Sequence, residues 1–421
     1  MVLVLPQSGR AQFTFTTNNG AITITGYTGS DANVTIPSSN NGYPVTTIGA
    51  NAFFAQATLT SVTIPNSITK IGDNAFGYCS GLRNVPIPES VASIGDWAFF
   101  YCTGLTNMTV PDSVSSLGNQ VFYHCLHLSN VTIGNSVPSI GASAFYDCSG
   151  LTTVRLGNSI TNIGAEAFHG CGNLRTLAIP DGITSIGNRA FESCSVLTNV
   201  ALGNSVTSIG DSAFRFCRGL TSMTIPDTVS NIGTNVFDNC THLTSVTIGN
   251  SVTNICVETF YQCSSLTNVT IGNSDTVIGD RAFYSCSSLS SLTIPNSVTS
   301  IGDFAFFGCF SLTSVTIGNS VTSIGASAFA GSSLTSVTIP DSVASIGDSA
   351  FFALSSLTNV TLGNSVTTVG DFAFDFCSHL NSVTIPNSVT SIGDSAFYNC
   401  SGLTNVTIGN SVTSIGNSAF Y

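Results

Sequence analysis

The sequence predicts a repeat solenoid: a stack of about 17 short turns. A continuous parallel β-sheet is expected on the concave face, short helical turns opposite it, and a β-hairpin cap at the N-terminus. Three observations carry this expectation. A leucine recurs every 23 residues from Leu59 to Leu312 and again from Leu334 to Leu403. A phenylalanine recurs with it, from Phe53 and Phe76 to Phe420, at position eighteen when the leucine is position one. Only 7% of residues are charged while 43% are apolar, so the exposed surface is mainly hydroxyl and amide. A chain of 421 residues exceeds what one globular core holds. A fixed period lets it grow along one dimension instead.

The elements follow in order. Residues 1–12, MVLVLPQSGRAQ, put small residues after a short apolar run. They read as the remnant of a secretory signal or as a disordered tail. Phe13, Phe15, Ile22 and Ile24 alternate with threonines around Asn19-Gly20, a hairpin signal. Residues 13–30 are therefore expected to cap the stack, and residues 31–421 to form the solenoid. The first turn, at 31–58, is irregular, with an insert at 40–44.

The regular turn is LNSVTIPNSVTSIGDSAFYNCSG, residues 380–402. Leu at one, Val at four and Ile at six point inward. Positions three and five point outward, as in a strand with one buried face. Pro or Gly at seven, followed by Asn-Ser or Asp-Ser, is turn chemistry. Val at ten and Ile at thirteen return to the core, and Gly at fourteen is expected to allow a tight bend. Asp at fifteen reads as the N-cap of a short helical turn. Phe at eighteen is expected to stack on its neighbours. One step, from Leu312 to Leu334, is a residue short and reads as loss of the Cys.

This repeated LxxVxIPxSVxxIGxxAFxxC pattern resembles the BspA-like leucine-rich repeat over residues 31–421. The resemblance implies a leucine-rich-repeat-like fold in cell-surface or secreted proteins of bacteria or protists, often adhesive. It implies no shared ligand. The pattern departs from the common leucine-rich repeat at position nine, which is Ser here rather than Asn or Cys.

Of 14 cysteines, all but Cys256 fall at position twenty-one. Their Cβ vectors run parallel in an in-register stack, which disfavours disulfides. A buried ladder of free thiols is expected. Cys256 replaces a position-fourteen Gly and reads as drift. The column of Asp73, Asp96, Asp211, Asp280, Asp303, Asp348, Asp371 and Asp394 has the chemistry for calcium, but capping accounts for it better. HCLH at 124–127 suggests a metal site. However, His127, His242 and His379 share position twenty-three, a loop position, and no metal or other cofactor is expected. No nucleophile with a paired base is legible, and an enzyme is not expected.

The net charge of −12 argues against nucleic acid as a partner, and no apolar run is long enough to insert in a membrane. A protein or glycan ligand on the concave face is the first expectation. The candidate residues are Asn107, Thr109, Asn130 and Thr132, with Arg155 and Arg175 at irregular rungs. Arg189, Arg215 and Arg218 extend these into a basic island suited to a carboxylate or sulfate. Asp275 falls at the inward position ten, where a local bulge or an outward flip is expected. Asn33, Asn107, Asn130, Asn268, Asn359 and Asn405 lie in glycosylation triplets. The last turn has no follower, so the chain is expected to be a fragment or to have that end covered. Two functions fit: an extracellular or cell-surface adhesion scaffold, or a fibre subunit self-associating by axial stacking through the open C-terminal end.

Overall fold

The computed structural model describes residues 13–421; the expectation for residues 1–12 lies outside the described residues. Two compact units are present, residues 13–205 and Val206–Tyr421. Each is a β-solenoid, and together they hold about 17 turns. Regular turns have a first strand near positions three to six, reduced to a single bridge at Asn84 in the Leu82 turn, and a two-residue return strand at twelve and thirteen.

In the first unit β1 (Phe13–Asn18) and β2 (Ala21–Tyr27) form an antiparallel hairpin. Asn19 and Gly20 turn it with φ of 48° and 78°, the backbone that an Asn-Gly hairpin turn requires. β2 then pairs in parallel with Tyr43–Ile48, so the hairpin extends the return ladder. Tyr27 stacks on Phe53 at 5.3 Å, and Phe13 meets that ring edge-on at 6.1 Å. The cap thus covers the open end of the phenylalanine column. Within the column, rings follow one another at 5.2 Å and 3° between Phe76 and Phe99. In the second unit the Phe374–Phe397 pair repeats this at 5.2 Å and 4°.

The expected helical turns do not form; no helix occurs among the described residues. Positions fourteen to twenty-one chain tight turns instead. Ala75 N–H bonds to Gly72 O, Gly77 N–H to Asn74 O and Cys79 N–H to Phe76 O, at 3.3, 3.0 and 3.2 Å. Positions sixteen and twenty take positive φ, as at Asn74 (54°), Tyr78 (59°), Trp97 (60°) and Tyr101 (54°). Each such non-glycine residue costs about 1–2 kcal/mol. Hydrogen bonds between turns offset that cost. Asn74, Phe76 and Tyr78 donate to the carbonyls of Asp96, Ala98 and Phe100 in the next turn, at 2.9, 2.8 and 2.9 Å. A helix would close these N–H groups within one turn and leave the stack unjoined.

The same logic corrects two further expectations. Gly at fourteen is not there for a special φ. A Cβ on Gly95 would lie 2.8 Å from Asp73 N and closer still to its carboxylate, so the glycine permits close approach of adjacent turns. Asp at fifteen caps the following turn rather than a helix. Asn119 N–H donates to Asp96 Oδ1 at 2.7 Å, and Asp394 N–H to Asp371 Oδ1 at 2.7 Å.

The first-strand sheet is interrupted rather than continuous. In the first unit Asn107–Val110, Asn130–Ile133 and Thr153–Arg155 pair, and Thr176–Ala178 pairs separately with Asn199–Ala201. In the second, breaks separate Asn268–Thr270 from Ser291–Thr293, and Ser314–Thr316 from Ser336–Thr338. Each of these breaks falls where Gly at seven is followed by Pro at seven: Gly157 then Pro180, Gly272 then Pro295, Gly318 then Pro340. At the one further such step inside a unit, Gly363 then Pro386, a single residue pair, Asn359 with Ser382, remains. Proline has no N–H to give the preceding turn. Glycine sits close: a Cβ on Gly249 would lie 2.5 Å from Pro226 O. Turns therefore approach tightly from Pro to Gly and stand apart from Gly to Pro. Val154, Val269 and Val315, just before the breaks, are only half-buried, while Val131 and Val246 are 2% exposed.

The return ladder has its own two breaks within the units. Thr69, Ala92 and Ser115 each donate to the residue 23 before them, at 2.8, 2.8 and 3.0 Å. Pro138 cannot, and Ser116–Leu117 does not pair with Ser139–Ile140. In the second unit Cys256 puts a side chain where glycine normally lies. Its thiol contacts Ile232 O at 3.1 Å, and Asn231–Ile232 and Asn254–Ile255 do not pair with each other.

The position twenty-one thiols are free and buried. Within each unit such thiols bond to the phenylalanine carbonyl of the preceding turn, as Cys102 Sγ to Phe76 O at 3.1 Å. Burial pushes the Cys79 thiol up to about 12, which keeps it a donor. The short step does not delete this seat. Ser332 occupies it, 4% exposed, with its N–H on Phe329 O at 3.1 Å; the loop residue after it is missing. Asp275 neither bulges nor flips outward. Val277–Ile278 pairs in register on both sides, with Asn254–Ile255 and Ser300–Ile301. The carboxylate is held inward at 0% exposure.

Candidate functional site

On the first unit's strand face, three paired strands align two outward columns. Asn107, Asn130 and Thr153 form one, and Thr109, Thr132 and Arg155 the other. All six are exposed. The polar columns of the turn differ in what their side chains do. Hydroxyls at positions two and eleven bond to the preceding turn, as Ser129 Oγ to Thr106 O at 2.9 Å and Thr161 Oγ1 to Pro138 O at 3.2 Å. Asx side chains at eight reach the following turn instead, as Asp112 Oδ1 accepting from Asn135 N–H at 2.6 Å. At position three, Asn130 Nδ2 donates to Asn107 Oδ1 at 2.9 Å. Among the described residues no hydrogen bond engages the hydroxyls of Thr109 and Thr132. They remain available to solvent or ligand.

Arg155 closes that column and is the one charged residue at positions three and five from the Leu59 turn onward. Beyond it the ladder breaks, and positions five of the next two turns are Ala178 and Ala201, paired with each other. The guanidinium borders two rungs without a position-five hydroxyl. Arg175, at position two, is exposed next to the break. Among the described residues neither arginine forms an ion pair. The rest of the expected basic island lies elsewhere. Arg189, at position sixteen, pairs with Glu192 at 2.7 Å and with Glu166 at 3.3 Å. Arg215, at nineteen in the second unit, pairs with Asp238 at 2.7 Å. The island is therefore divided between the strand face and the tight-turn region.

Open clefts lie along the second unit's strand face, two of them at Gly-to-Pro steps. One of about 420 Å³ lies at the Gly272–Pro295 break, lined by Asn268, Thr270, Ser291 and Thr293. Another of about 790 Å³ lies at the Gly363–Pro386 step, lined by Asn359, Thr361, Ser382 and Thr384. The sequence reading missed both, although the order of Gly and Pro at position seven marks them. The six glycosylation triplets start at exposed asparagines at the head of first strands. His127, His242 and His379 are exposed, each with Nδ1 on a carbonyl of the preceding turn at 2.6, 2.7 and 2.6 Å. Among the described residues no group of three or more His, Cys, Asp or Glu could hold a metal ion.

The family described as BspA type leucine rich repeat region (6 copies) matches residues 46–175, 116–244, 232–353 and 322–421. No curated protein matches the chain. Among solved structures the chain is similar to a leucine-rich repeat protein from Bacteroides ovatus. That match has 26% identity and a TM-score of 0.56, covering 98% of this chain and 91% of that one. A leucine rich cell surface protein from Faecalibacterium prausnitzii matches at 29% identity and a TM-score of 0.48, covering 84% and 95%. The pneumococcal vaccine antigen PcpA matches at 18% and 0.48, covering 94% and 96%.

Proposed function

The chain belongs to the BspA-type leucine-rich repeat family, and from that premise we propose that it is a non-enzymatic binding scaffold. Repeats of this family are generally non-catalytic. Outside the cell or on its surface is the location the family resemblance implies. The strand face is its recognition surface, for a protein or glycan ligand. One observation carries this reading. The polar columns at two, eight and eleven are engaged in joining turns, whereas Thr109 and Thr132 carry no internal hydrogen bond and lead to an unpaired Arg155. Such a column offers a row of hydroxyls and one cationic fork, which suits a hydroxylated or amide-bearing chain with an anionic group.

The test is a glycan and protein array probed with the purified chain, followed by titration of each hit. A saturable ligand that is weakened at least about tenfold by Arg155→Ala supports the reading. No selective signal, or binding indifferent to Arg155, Thr109 and Thr132, overturns it.

A further inference from the structure

Asp275 is the inward residue of its turn at a position occupied by valine in both neighbours, Val252 and Val298, which are likewise 0% exposed. Neither carboxylate oxygen has a hydrogen-bond partner. A buried, unpartnered carboxylate is among the most costly groups a core can hold, and it resolves the cost by taking up a proton. Burial raises its pKa to about 7, and the nearby Gly272 backbone, outside hydrogen-bond geometry, offsets this only in part. No charge faces it from the elements of its own or the flanking turns. Ser245–Ile248, Asn254–Ile255, Asn268–Thr270, Val277–Ile278, Ser291–Thr293 and Ser300–Ile301 contain only Ser, Thr, Asn, Val, Ile and Leu. Glu258, Asp280 and Arg281 lie in the tight-turn region, where Arg281 pairs with Glu258 at 3.3 Å.

The placement adds a second element. The Asp275 turn is the one whose first strand, Asn268–Thr270, is unpaired on its far side, and the 420 Å³ cleft opens there. This turn is held through its return strand on both sides but through its first strand on one side only. In this turn a buried carboxylate without a hydrogen-bond partner coincides with a first strand supported on one side only. We propose that Asp275 is a pH-sensitive latch: the uncharged acid lets its turn close on both neighbours, and the carboxylate loosens that turn and the cleft beside it. The sign follows from the raised pKa. The stability of this turn is fully present below the ordinary carboxylate range and is lost as pH rises through about 7. This latch does not depend on the binding function proposed above.

Amide hydrogen exchange of the full chain at pH 5 and pH 8, corrected for intrinsic rates, tests it. In the wild type, protection across residues 266–278 should fall by about 10–100-fold from pH 5 to pH 8. The Leu380 turn, with Val389 at the same position, should not change. Asp275→Val should remove the pH dependence and raise protection at pH 8, and Asp275→Asn should remove the dependence alone. Wild-type protection that is flat or rises with pH overturns the proposal. So does an equal fall in the wild type and either variant.

Discussion

At the residue scale the structure turns on close approach between copies of the same position. Gly95 has an unremarkable backbone conformation, yet an added methyl would meet Asp73 N at 2.8 Å. Gly95→Ala should therefore destabilise the first unit by about 1–3 kcal/mol, as overpacking does, read as a lower urea midpoint. Gly20→Ala has open space but a φ of 78°, so its cost is backbone strain confined to the hairpin. Phe168, fully buried between Phe145 at 5.2 Å and Phe191 at 5.4 Å, should cost about 3–5 kcal/mol on truncation to Ala. The inward residues were legible from the sequence because each has one role repeated many times. The roles of Gly at fourteen and Asp at fifteen were misread. Both were assigned within their own turn, whereas both act on an adjacent one, and a single repeat read alone does not show that contact.

At the element scale the first strands and the hairpin were legible from alternation and turn residues; the inward return at positions ten and thirteen was read, but not as a second strand. The tight-turn region was misread as helical. Asp followed by a short apolar run is an N-cap signature, but a stack bonds each backbone to the next turn, and the left-handed residues at sixteen and twenty aim their N–H groups there. The sheet interruptions were also missed, although at the Gly-to-Pro steps the signal is local: proline after glycine at position seven. Replacing Pro180 by Gly should restore an N–H and join Thr153–Arg155 to Thr176–Ala178. Amide exchange at residues 176–179 should slow by about tenfold, since a paired N–H opens less often than a free one. Unchanged exchange there would mean that proline is not what separates the strands.

At the scale of the whole molecule, each turn is bonded to its immediate neighbours within its unit, so each unit should tolerate changes of one whole turn and no other. Deleting residues 289–311 removes one turn, and with it the Gly272–Pro295 step. It should leave the far-ultraviolet circular dichroism per residue unchanged, with a melting temperature within a few degrees, about 2–4 °C. Deleting residues 289–299 alone should unfold the neighbouring turns. Regularity made the architecture readable and hid the site. The distinguishing residues, Arg155, Ala178, Ala201 and Asp275, are single departures whose meaning depends on which rung is paired and which is open. The most direct measurement compares Arg155→Ala with Arg189→Ala in a titration of the same array-selected ligand. Arg155 is unpaired on the strand face, and Arg189 is held by Glu192 and Glu166 in the tight-turn region. The account predicts a loss of about tenfold or more for Arg155→Ala and none for Arg189→Ala. Equal losses, or loss only with Arg189→Ala, would contradict it.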